Sequence, residues 1–441
     1  MAPVYWENAV QIIDPHDKGI SKAIHANLIP NTWSTEEVYS SPNCLDVTQA
    51  MTEAYFESLN DLKLPGFNET SAHNASRFVN TSMHGVGHPF VSKALENLRI
   101  SFTPVSEQKD PDPDFPTVAY PNPEEKGALD LALATADSNN LDYVLAQDPD
   151  ADRFSAAEKQ ASGEWATFTG DQLGVIFAGH VLEAFRQKSE APLNKLAMVA
   201  STVSSKMIEA IAEREGFKFT ECLTGFKYIG NTALDLVKQG YHVPFGYEEA
   251  IGFMFGTEVR DKDGVAATVM FVQIIQMLRS QGRTVKSYLD SLYERYGYFL
   301  TSNDYFICKD PTIIDRIFKK IRNYNSANLE DADRDYPKEI AGLQVTSVVD
   351  LTTGYDSTNP PTYKPTLPIS SGHMIQFRAR RASDGSKIVL TIRTSGTEPK
   401  IKYYLEGSGK DKSVVSELLP RVVEELGNQW MEADQNKLGR P

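Results

Sequence analysis

An apolar stretch that ends in three alternating aspartates constrains this chain more than any other feature. Residues 141–146 are largely apolar and predict a buried strand, which runs directly into Asp148, Asp150 and Asp152. In an extended loop alternate side chains point the same way, so we expect the three carboxylates to converge. Their mutual repulsion in a partly desolvated site favours a bound divalent cation, and all-oxygen ligands suit Mg²⁺. Arg153 follows at once as a planar donor fit for a phosphate, which indicates phosphate-ester chemistry.

Two alternatives exist for the aspartate run. A solvated acidic turn after a strand is common and needs no metal. A calcium-binding EF-hand loop also begins with alternating acids, but it requires glycine at its sixth position and glutamate at its twelfth. Those positions hold Arg153 and Lys159, which excludes the EF-hand. The strand before the run and the arginine within it favour the magnesium site over the solvated turn.

Length, charge and cysteine content restrict the class of protein. The 441 residues suggest three domains of about 150 residues each. The net charge of −15 argues against nucleic acid or an anionic membrane as a general partner. The 3 cysteines are far apart and lack metal-ligand spacing, which favours reduced thiols and a cytoplasmic location. No apolar run is long enough to span a membrane, and residues 1–8 lack the pattern of a signal peptide.

Strands alternate with helices over most of the chain, which is typical of α/β units. Residues 4–13 predict a strand, followed by a turn with Pro15 and Gly19, and residues 60–74 predict a linker. Further strands are predicted over 77–81, 141–146, 196–200, 217–221 and 298–308, and helices over 45–60, 89–98, 128–137, 172–187, 204–215, 231–239, 264–280, 284–296 and 311–324. The last part carries strands over 343–350, 374–380, 386–393 and 401–405 without helices between them, and then one long helix over 412–433. This order predicts a smaller α+β module at the C-terminal end.

A second candidate loop carries two adjacent glutamates. Glu248 and Glu249 lie between Gly246 and Gly252 on a predicted turn, where their carboxylates can accept hydrogen bonds from sugar hydroxyls. A solvated acidic turn is the alternative, and on spacing alone it is the simpler interpretation.

A third candidate loop follows the predicted strand over 386–393. Glycine flanked by hydroxyl residues lets successive backbone amides turn toward an anion, and an arginine adds charge for a bidentate grip. The residues in question are Arg393, Ser395, Gly396 and Thr397. The alternative is a capped turn between two strands.

Two weaker signals involve a lysine and a pair of histidines. Lys227, after Thr224 and Gly225, can meet a phosphate or carry a proton, although a lone lysine is usually surface charge. His84 and His88 flank two glycines, but the segment is a predicted turn without a partner ligand nearby, so we predict a structural role for both.

Taken together, the three loops resemble the α-D-phosphohexomutase superfamily, and within it the eukaryotic branch of phosphoglucomutase- and phosphopentomutase-like enzymes. The resemblance runs nearly end to end, from residues 4–8 to the closing helix. It implies a multi-domain α/β architecture with mixed sheets and a C-terminal α+β domain. The implied domains are 1–74 (a remnant of domain 1), 75–190 (domain 2, with the metal-binding loop), 191–310 (domain 3, with the sugar-binding loop) and 311–441 (a linker helix and domain 4, with the phosphate-binding loop).

The resemblance also implies an activity, an intramolecular phosphotransfer between C1 and C6 of a hexose phosphate or C1 and C5 of a pentose phosphate, in carbohydrate metabolism. Mg²⁺ and a sugar bisphosphate intermediate are the implied cofactors. In this scheme three aspartates bind the metal, Arg153 neutralises the transferring group and Lys227 is a proton-transfer candidate. Substrate binding falls to Thr224, Gly225, Glu248, Glu249, Arg393, Ser395, Gly396 and Thr397, and the metal ligands are Asp148, Asp150 and Asp152.

The sequence departs from the family pattern at two points. Ala250 stands where most hexomutases have a serine that touches the sugar, which fits a broader or pentose preference. No serine lies in the Ser-His-Asn-Pro context of the family's phosphoserine loop, so we expect this chain to lack its nucleophile and part of domain 1. Two alternatives to a mutase follow, a catalytically impaired sugar-phosphate-binding protein and an enzyme similar to glucose-1,6-bisphosphate synthase.

Overall fold

The structure, a computed structural model, describes residues 3–67, 77–326, 334–396 and 398–440. Its helices are α1 (His16–Ala26), α2 (Glu36–Ser40), α3 (Thr48–Asp61), α4 (His88–Asn97), α5 (Asp130–Ser138), α6 (Gly170–Lys188), α7 (Met207–Glu215), α8 (Phe226–Lys238), α9 (Gly264–Ser280), α10 (Val285–Tyr296), α11 (Pro311–Arg322) and α12 (Lys412–Glu425). Its strands are β1 (Phe78–Thr81), β2 (Thr103–Pro104), β3 (Tyr143–Gln147), β4 (Phe154–Lys159), β5 (Trp165–Thr167), β6 (Leu196–Ser201), β7 (Lys218–Cys222), β8 (His242–Glu248), β9 (Gly252–Phe255), β10 (Tyr298–Thr301), β11 (Asp304–Ile307), β12 (Glu339–Ile340), β13 (Leu343–Asp350), β14 (Tyr355–Asp356), β15 (Met374–Arg380), β16 (Lys387–Thr394) and β17 (Lys400–Gly409).

The chain forms two compact units. Unit 1 comprises residues 1–204 and 212–289, and unit 2 comprises residues 205–211 and 290–441. Unit 1 contains the aspartate and glutamate loops, and unit 2 contains the Arg393 loop. In the described ranges no helix is both long and apolar enough to cross a membrane.

The first sheet of unit 1 has five strands in the order β2-β1-β3-β4-β5. The first three are parallel, whereas β4 and β5 run antiparallel to their neighbours. Every residue of β3 is buried, as expected for a strand that is covered on both faces. The predicted strand that leads into the aspartates is therefore confirmed. It ends at Gln147, which places Asp148 at the carboxyl edge of the sheet.

The second sheet of unit 1 has the order β7-β6-β8-β9. Here β7, β6 and β8 are parallel, and β9 returns antiparallel to β8. The carboxyl end of β8 carries Glu248. The helices that precede and follow the sheets have the predicted positions to within a few residues, and Thr169 caps α6 with the reciprocal bonds of a capping box to Gln172.

Unit 2 is built on one antiparallel sheet. Its main path is β10-β17-β16-β15-β13-β12, with β11 paired to β17 and β14 paired to β13. The predicted strands without intervening helices are thus confirmed, as is the α+β character of this part. The closing helix is shorter than predicted, because α12 ends at Glu425 and the chain continues as a π-helical turn over Leu426–Trp430.

The N-terminal segment differs from the predicted strand. Residues 4–13 pair only through an isolated bridge between Tyr5 and Gln11. The chain reverses between them because Ala9 takes a φ of +58° and donates its amide hydrogen to the carbonyl oxygen of Trp6 at 2.9 Å. The strand prediction is wrong. Val10 lies against Gly230 of α8, and the Trp6 ring stacks on His16 of α1 with 4.1 Å between the ring centres.

Two further predictions near the N-terminus are correct only in part. The predicted turn forms at residues 14–15, where the His16 amide donates to the Ile13 carbonyl oxygen at 2.9 Å, but Gly19 lies inside α1. Pro15 directly precedes α1, where the first amides of the helix lack intrahelical acceptors. The predicted linker over 60–74 fails in its first part, where α3 continues to Asp61 and Leu64 is buried. Residues 68–74 lie outside the described residues.

His180 of α6 predicts an acid-sensitive fold. The ring is 8% exposed and lies 4.4 Å from the Tyr288 ring, and burial lowers its pKa to about 4. The unfolded chain therefore binds a proton that the folded chain does not, so stability is complete above about pH 6.5 and falls as the pH drops towards 4. We expect the free energy of unfolding to decrease by about 2 kcal/mol between pH 7 and pH 5 through this residue.

Urea unfolding at both pH values tests this expectation with two variants. His180→Gln should lose most of that pH dependence, whereas His25→Gln, which alters an exposed histidine of α1, should retain it. An unchanged pH dependence in His180→Gln would show that other groups cause the acid sensitivity.

Candidate functional site

The aspartates converge, but through a turn rather than an extended loop. The Ala151 amide donates to the Asp148 carbonyl oxygen at 2.9 Å, and Ala151 has a φ of +61°. One carboxylate oxygen from each of Asp148, Asp150 and Asp152 lies within 4.8 Å of the others. The prediction that the three carboxylates converge is therefore confirmed. The prediction that they do so because alternate side chains of an extended loop point the same way is wrong. The turn is closed by the Arg153 amide, which donates to Asp148 Oδ1 at 3.0 Å.

Glycines hold this turn from two sides. A Cβ on Gly85 would overlap the backbone of Pro149, and the neighbouring Val86 amide donates to the Pro149 carbonyl oxygen at 2.8 Å. On the other side Gly264, the first residue of α9, donates its amide to the Ala151 carbonyl oxygen at 3.0 Å. A Cβ on Gly264 would overlap the carbonyl oxygen of Arg153. The aspartate turn is thus fixed by backbone contacts that leave no room for a side chain.

The site carries more negative charge than its surroundings neutralise. Burial raises the pKa of Asp148 to about 7. The hydrogen bond from the Arg153 amide opposes this rise, and the negative charges of Asp152 and Asp150 add to it. Burial also raises the pKa of Asp152, although its hydrogen bond to Lys262 opposes the rise. A cation bound between the carboxylates would remove the cause of these shifts.

The separation of the carboxylates fits Mg²⁺. An octahedral ion with oxygen ligands at about 2.1 Å holds neighbouring oxygens about 3 Å apart and opposite ones about 4 Å apart. One carboxylate oxygen of each aspartate lies within 4.8 Å of the others, which is compatible with that spacing. The remaining positions are open to water or a phosphate oxygen.

The guanidinium of Arg153 lies beside the aspartates, and its Nε is at ion-pair distance from two of them without a hydrogen bond to either. Its Nε is 3.7 Å from Asp148 Oδ2 and 4.0 Å from Asp152 Oδ1, which is ion-pair distance rather than hydrogen-bond distance. That Nε is buried, and within the part of the chain that the structure describes it has no hydrogen-bond partner. A buried donor of this kind is available to an anionic oxygen that enters the site.

The two glutamates occupy different environments. Glu249 is held in place, because its Oε2 accepts hydrogen bonds from Ser201 at 2.9 Å and Ser204 at 3.3 Å, and its amide donates to Ser204 Oγ at 3.0 Å. Gly170 packs against its carbonyl oxygen so closely that a Cβ would overlap it. The carboxylate of Glu248 makes no hydrogen bond to described residues, and burial raises its pKa to about 7, with the Glu249 charge adding to the rise.

The aspartate and glutamate loops are joined directly. Arg153 forms a bridge with Gly252, and the Phe154 amide donates to the Ile251 carbonyl oxygen at 3.0 Å. Lys262 adds an ion pair, with its Nζ 2.6 Å from Asp152 Oδ2. These contacts bring the three aspartates and the two glutamates into one continuous site of unit 1. The site also contains two cations, Arg153 and Lys262.

Sequence reasoning missed Lys262 and the two serines that hold Glu249. Lys262 stands in a run of charges, Arg260 to Asp263, that looks like a solvated turn before a helix. Its only signal was a position two residues before Gly264, where α9 begins. Ser201 is the last residue of the buried strand β6, and Ser204 follows that strand. Nothing in the local sequence distinguishes them from other serines, because their role depends on contacts with Glu249, which lies 45 or more residues away along the chain.

The Thr224–Lys227 segment lies at the start of α8. Gly225 takes a φ of +107° and directly precedes the helix. Lys227 Nζ is 4.0 Å from Asp17 Oδ2 and 5.1 Å from the Tyr228 ring centre, and neither contact involves the aspartate turn. The link to the site is Phe226, whose ring centre lies 6.0 Å from Lys262 Nζ.

His84 contacts neighbouring loop residues. His84 Nε2 is 2.7 Å from Thr117 Oγ1, and its backbone bonds to Gln108 and Asp112. Among the described residues the only cluster with metal-ligand geometry is the aspartate trio. His84 thus anchors the loop that contains Gly85.

The Arg393 loop of unit 2 connects β16 to β17. The Ser395 amide donates to the Lys400 carbonyl oxygen at 3.0 Å, and Ser395 Oγ accepts from the Glu398 amide at 3.3 Å. Arg393 Nη2 donates to the Tyr404 hydroxyl at 2.9 Å, while its buried Nε has no hydrogen-bond partner among the described residues. A Cβ on Gly396 would meet open space, and Thr397 lies outside the described residues.

Comparison with known proteins identifies the family. The family description "Phosphoglucomutase/phosphomannomutase, alpha/beta/alpha domain II" matches residues 53–163, and its domain III counterpart matches residues 169–296. Phosphopentomutase from Homo sapiens is 45% identical over 411 residues, covering 91% of this chain and 65% of that protein. Glucose 1,6-bisphosphate synthase from Homo sapiens is 40% identical over 446 residues, covering 99% of this chain and 70% of that protein.

Solved structures show the same fold. A phosphoglucomutase/phosphomannomutase family protein from Burkholderia thailandensis superimposes with a TM-score of 0.54 at 14% identity, over 89% of this chain and 66% of that one. The α/β units with their mixed sheets agree with the alpha/beta/alpha domains of the family description. The chain belongs to the phosphoglucomutase/phosphomannomutase family, as the resemblance of its three loops predicts. It spans 65% of the length of the human phosphopentomutase.

Proposed function

We propose that this protein binds Mg²⁺ and a sugar phosphate and serves in phosphate transfer between C1 and C5 of a pentose or C1 and C6 of a hexose. The observation that carries the proposal is the convergence of Asp148, Asp150 and Asp152 beside the unpartnered Nε of Arg153. Identity of 45% to a phosphopentomutase supports the choice of reaction. The four domains implied by the resemblance are part of the same proposal.

Each residue of the site has a role that follows from its contacts. The aspartates hold Mg²⁺, which when bound neutralises charge on a phosphate group. Arg153 donates from its free Nε to a phosphate oxygen, and Glu248 accepts hydrogen bonds from sugar hydroxyls. Glu249 acts as a positioning residue, because Ser201 and Ser204 already occupy its carboxylate and fix the loop.

Phosphate transfer also requires a proton to move. The sugar hydroxyl that receives the phosphoryl group must lose a proton, and the oxygen that releases the group must gain one. Lys227 is the proposed proton carrier, and Thr224 and Gly225 position the sugar. In unit 2 the proposed phosphate grip consists of Arg393, Ser395, Gly396 and Thr397.

Calorimetry with ribose 5-phosphate and glucose 6-phosphate, each with and without Mg²⁺, tests the proposal. We expect saturable binding that Mg²⁺ strengthens, with a Kd below about 1 mM. Binding of ribose 5-phosphate that is at least about fivefold tighter would assign the pentose preference that Ala250 suggests. Absence of binding to both sugar phosphates would contradict the proposed function.

A second candidate is sugar bisphosphate synthesis, which the 40% identity to a glucose 1,6-bisphosphate synthase favours. Phosphorus NMR with an added phosphoryl donor separates the candidates, because a mutase interconverts ribose 1-phosphate and ribose 5-phosphate whereas a synthase transfers the donor's phosphoryl group to a sugar monophosphate and accumulates a bisphosphate. Tight binding without either product would assign the sugar-phosphate-binding alternative to this chain.

A further inference from the structure

A cavity of about 570 Å³ lies in unit 1, away from the aspartate site. Residues 242–244, at the start of β8, line it, whereas Glu248 ends the same strand. At about 3.3 Å per residue the two ends of β8 lie about 20 Å apart. Most of the wall is apolar, with Val181 and Phe185 from α6, Val237 from α8 and Phe255 from β9. A cavity of this size and composition is typical of small-molecule sites.

Arg260 gives this cavity an unusual feature. The residue is 6% exposed and lines the cavity, and its Nη1 donates to the Val243 carbonyl oxygen at 2.6 Å. Its Nε is buried and has no hydrogen-bond partner among the described residues, and the charge of exposed Glu258 acts on the guanidinium without a hydrogen bond between them. Buried arginines are almost always paired, because an unpaired buried charge is costly.

The charges of the residues that line the cavity also favour an anionic ligand. Among the described residues that line the cavity are three cations, Lys63, Lys188 and Arg260, and one acid, Asp61. This local excess of positive charge occurs in a protein whose net charge is −15. Apolar walls combined with an unpaired guanidinium match a ligand that is apolar along its length and anionic at one end.

We propose that this cavity binds an amphipathic anion, with a carboxylate or monophosphate head on Arg260 and an unbranched apolar tail along α6 and α8. The site is separate from the proposed sugar-phosphate site and does not depend on it. The same affinity is therefore expected with and without Mg²⁺ and ribose 5-phosphate.

A competition experiment with the fluorescent dye 8-anilinonaphthalene-1-sulfonate tests the proposal. The bound dye is displaced by decanoate, decyl phosphate or neutral decanol, each kept below its critical micelle concentration, and the loss of fluorescence is measured. Decanoate and decyl phosphate should compete saturably, and the tighter of the two identifies the head group. Arg260→Met should weaken both by at least about tenfold and decanol by less than about threefold. Ala184→Trp, which fills the cavity from α6, should weaken all three, and Arg214→Met, which removes an exposed arginine, should change none.

Three outcomes would overturn the proposal. The first is the absence of saturable competition by either anion. The second is equal affinity of decanoate for Arg260→Met and the unaltered protein, which would make the cavity a purely apolar site. The third is unchanged affinity of the Ala184→Trp variant for all three competitors, which would place the ligand outside this cavity. This measurement tests the proposal even if Arg260→Met fails to fold.

Discussion

Replacement of Asp150 by asparagine is expected to weaken Mg²⁺ binding by at least about 100-fold while leaving the fold intact. Asp150 is the exposed member of the trio and accepts no hydrogen bond from the described residues. Its loss therefore removes one anionic ligand without breaking a structural contact. Asp148 is different, because its carboxylate also closes the turn by accepting the Arg153 amide hydrogen.

Calorimetric titration with Mg²⁺, or electron paramagnetic resonance with Mn²⁺ as a substitute, measures the effect. Asp114→Asn is the matched control, since it makes the same chemical change on an exposed loop residue of unit 1. The melting temperature of both variants should stay close to that of the unaltered protein. Equal Mg²⁺ affinity of Asp150→Asn and Asp114→Asn would show that the aspartate trio is not the metal site.

The aspartate site shows what local sequence can and cannot predict. A buried strand followed by alternating carboxylates led correctly to a converging trio, because burial and charge repulsion are local properties of those residues. The shape of the turn was predicted wrongly, since it depends on Ala151 adopting a positive φ. That conformation is imposed by Gly85 and Gly264, which contact the turn from 64 or more residues away along the chain.

The same limit applies to the rest of the molecule. Helices such as α6 and α9 have apolar periodicity and caps of their own, so their positions were predicted closely. Residues 4–13 have the composition of a strand but no neighbouring strand to pair with, and pairing is a tertiary property. Lys262 enters the site only because α9 packs its first turn against the aspartate loop.

The close contact of Gly264 with the aspartate turn predicts the largest loss of stability. In Gly264→Ala the new Cβ would overlap the carbonyl oxygen of Arg153 and lie 2.7 Å from that of Ala151. Both neighbours are backbone atoms, so they cannot move aside as a flexible side chain can. We expect the free energy of unfolding to fall by about 3 kcal/mol or more, because α9 or the turn must shift. Mg²⁺ binding should weaken in parallel, since the shifted turn carries the metal ligands.

Gly19→Ala is the matched control for this prediction, because a Cβ there meets nothing within 4 Å and Gly19 lies inside α1, as its fourth residue. Alanine is the better helix former, so the control should gain about 0.5–1 kcal/mol in urea unfolding. A loss below about 1 kcal/mol in Gly264→Ala would contradict the close contact. A folded Gly264→Ala protein that keeps its full Mg²⁺ affinity would show that α9 does not position the aspartates. Conversely, lowered affinity in folded Gly264→Ala, with Asp148, Asp150 and Asp152 all present, would show that metal binding depends on how the turn is held as well as on its carboxylates.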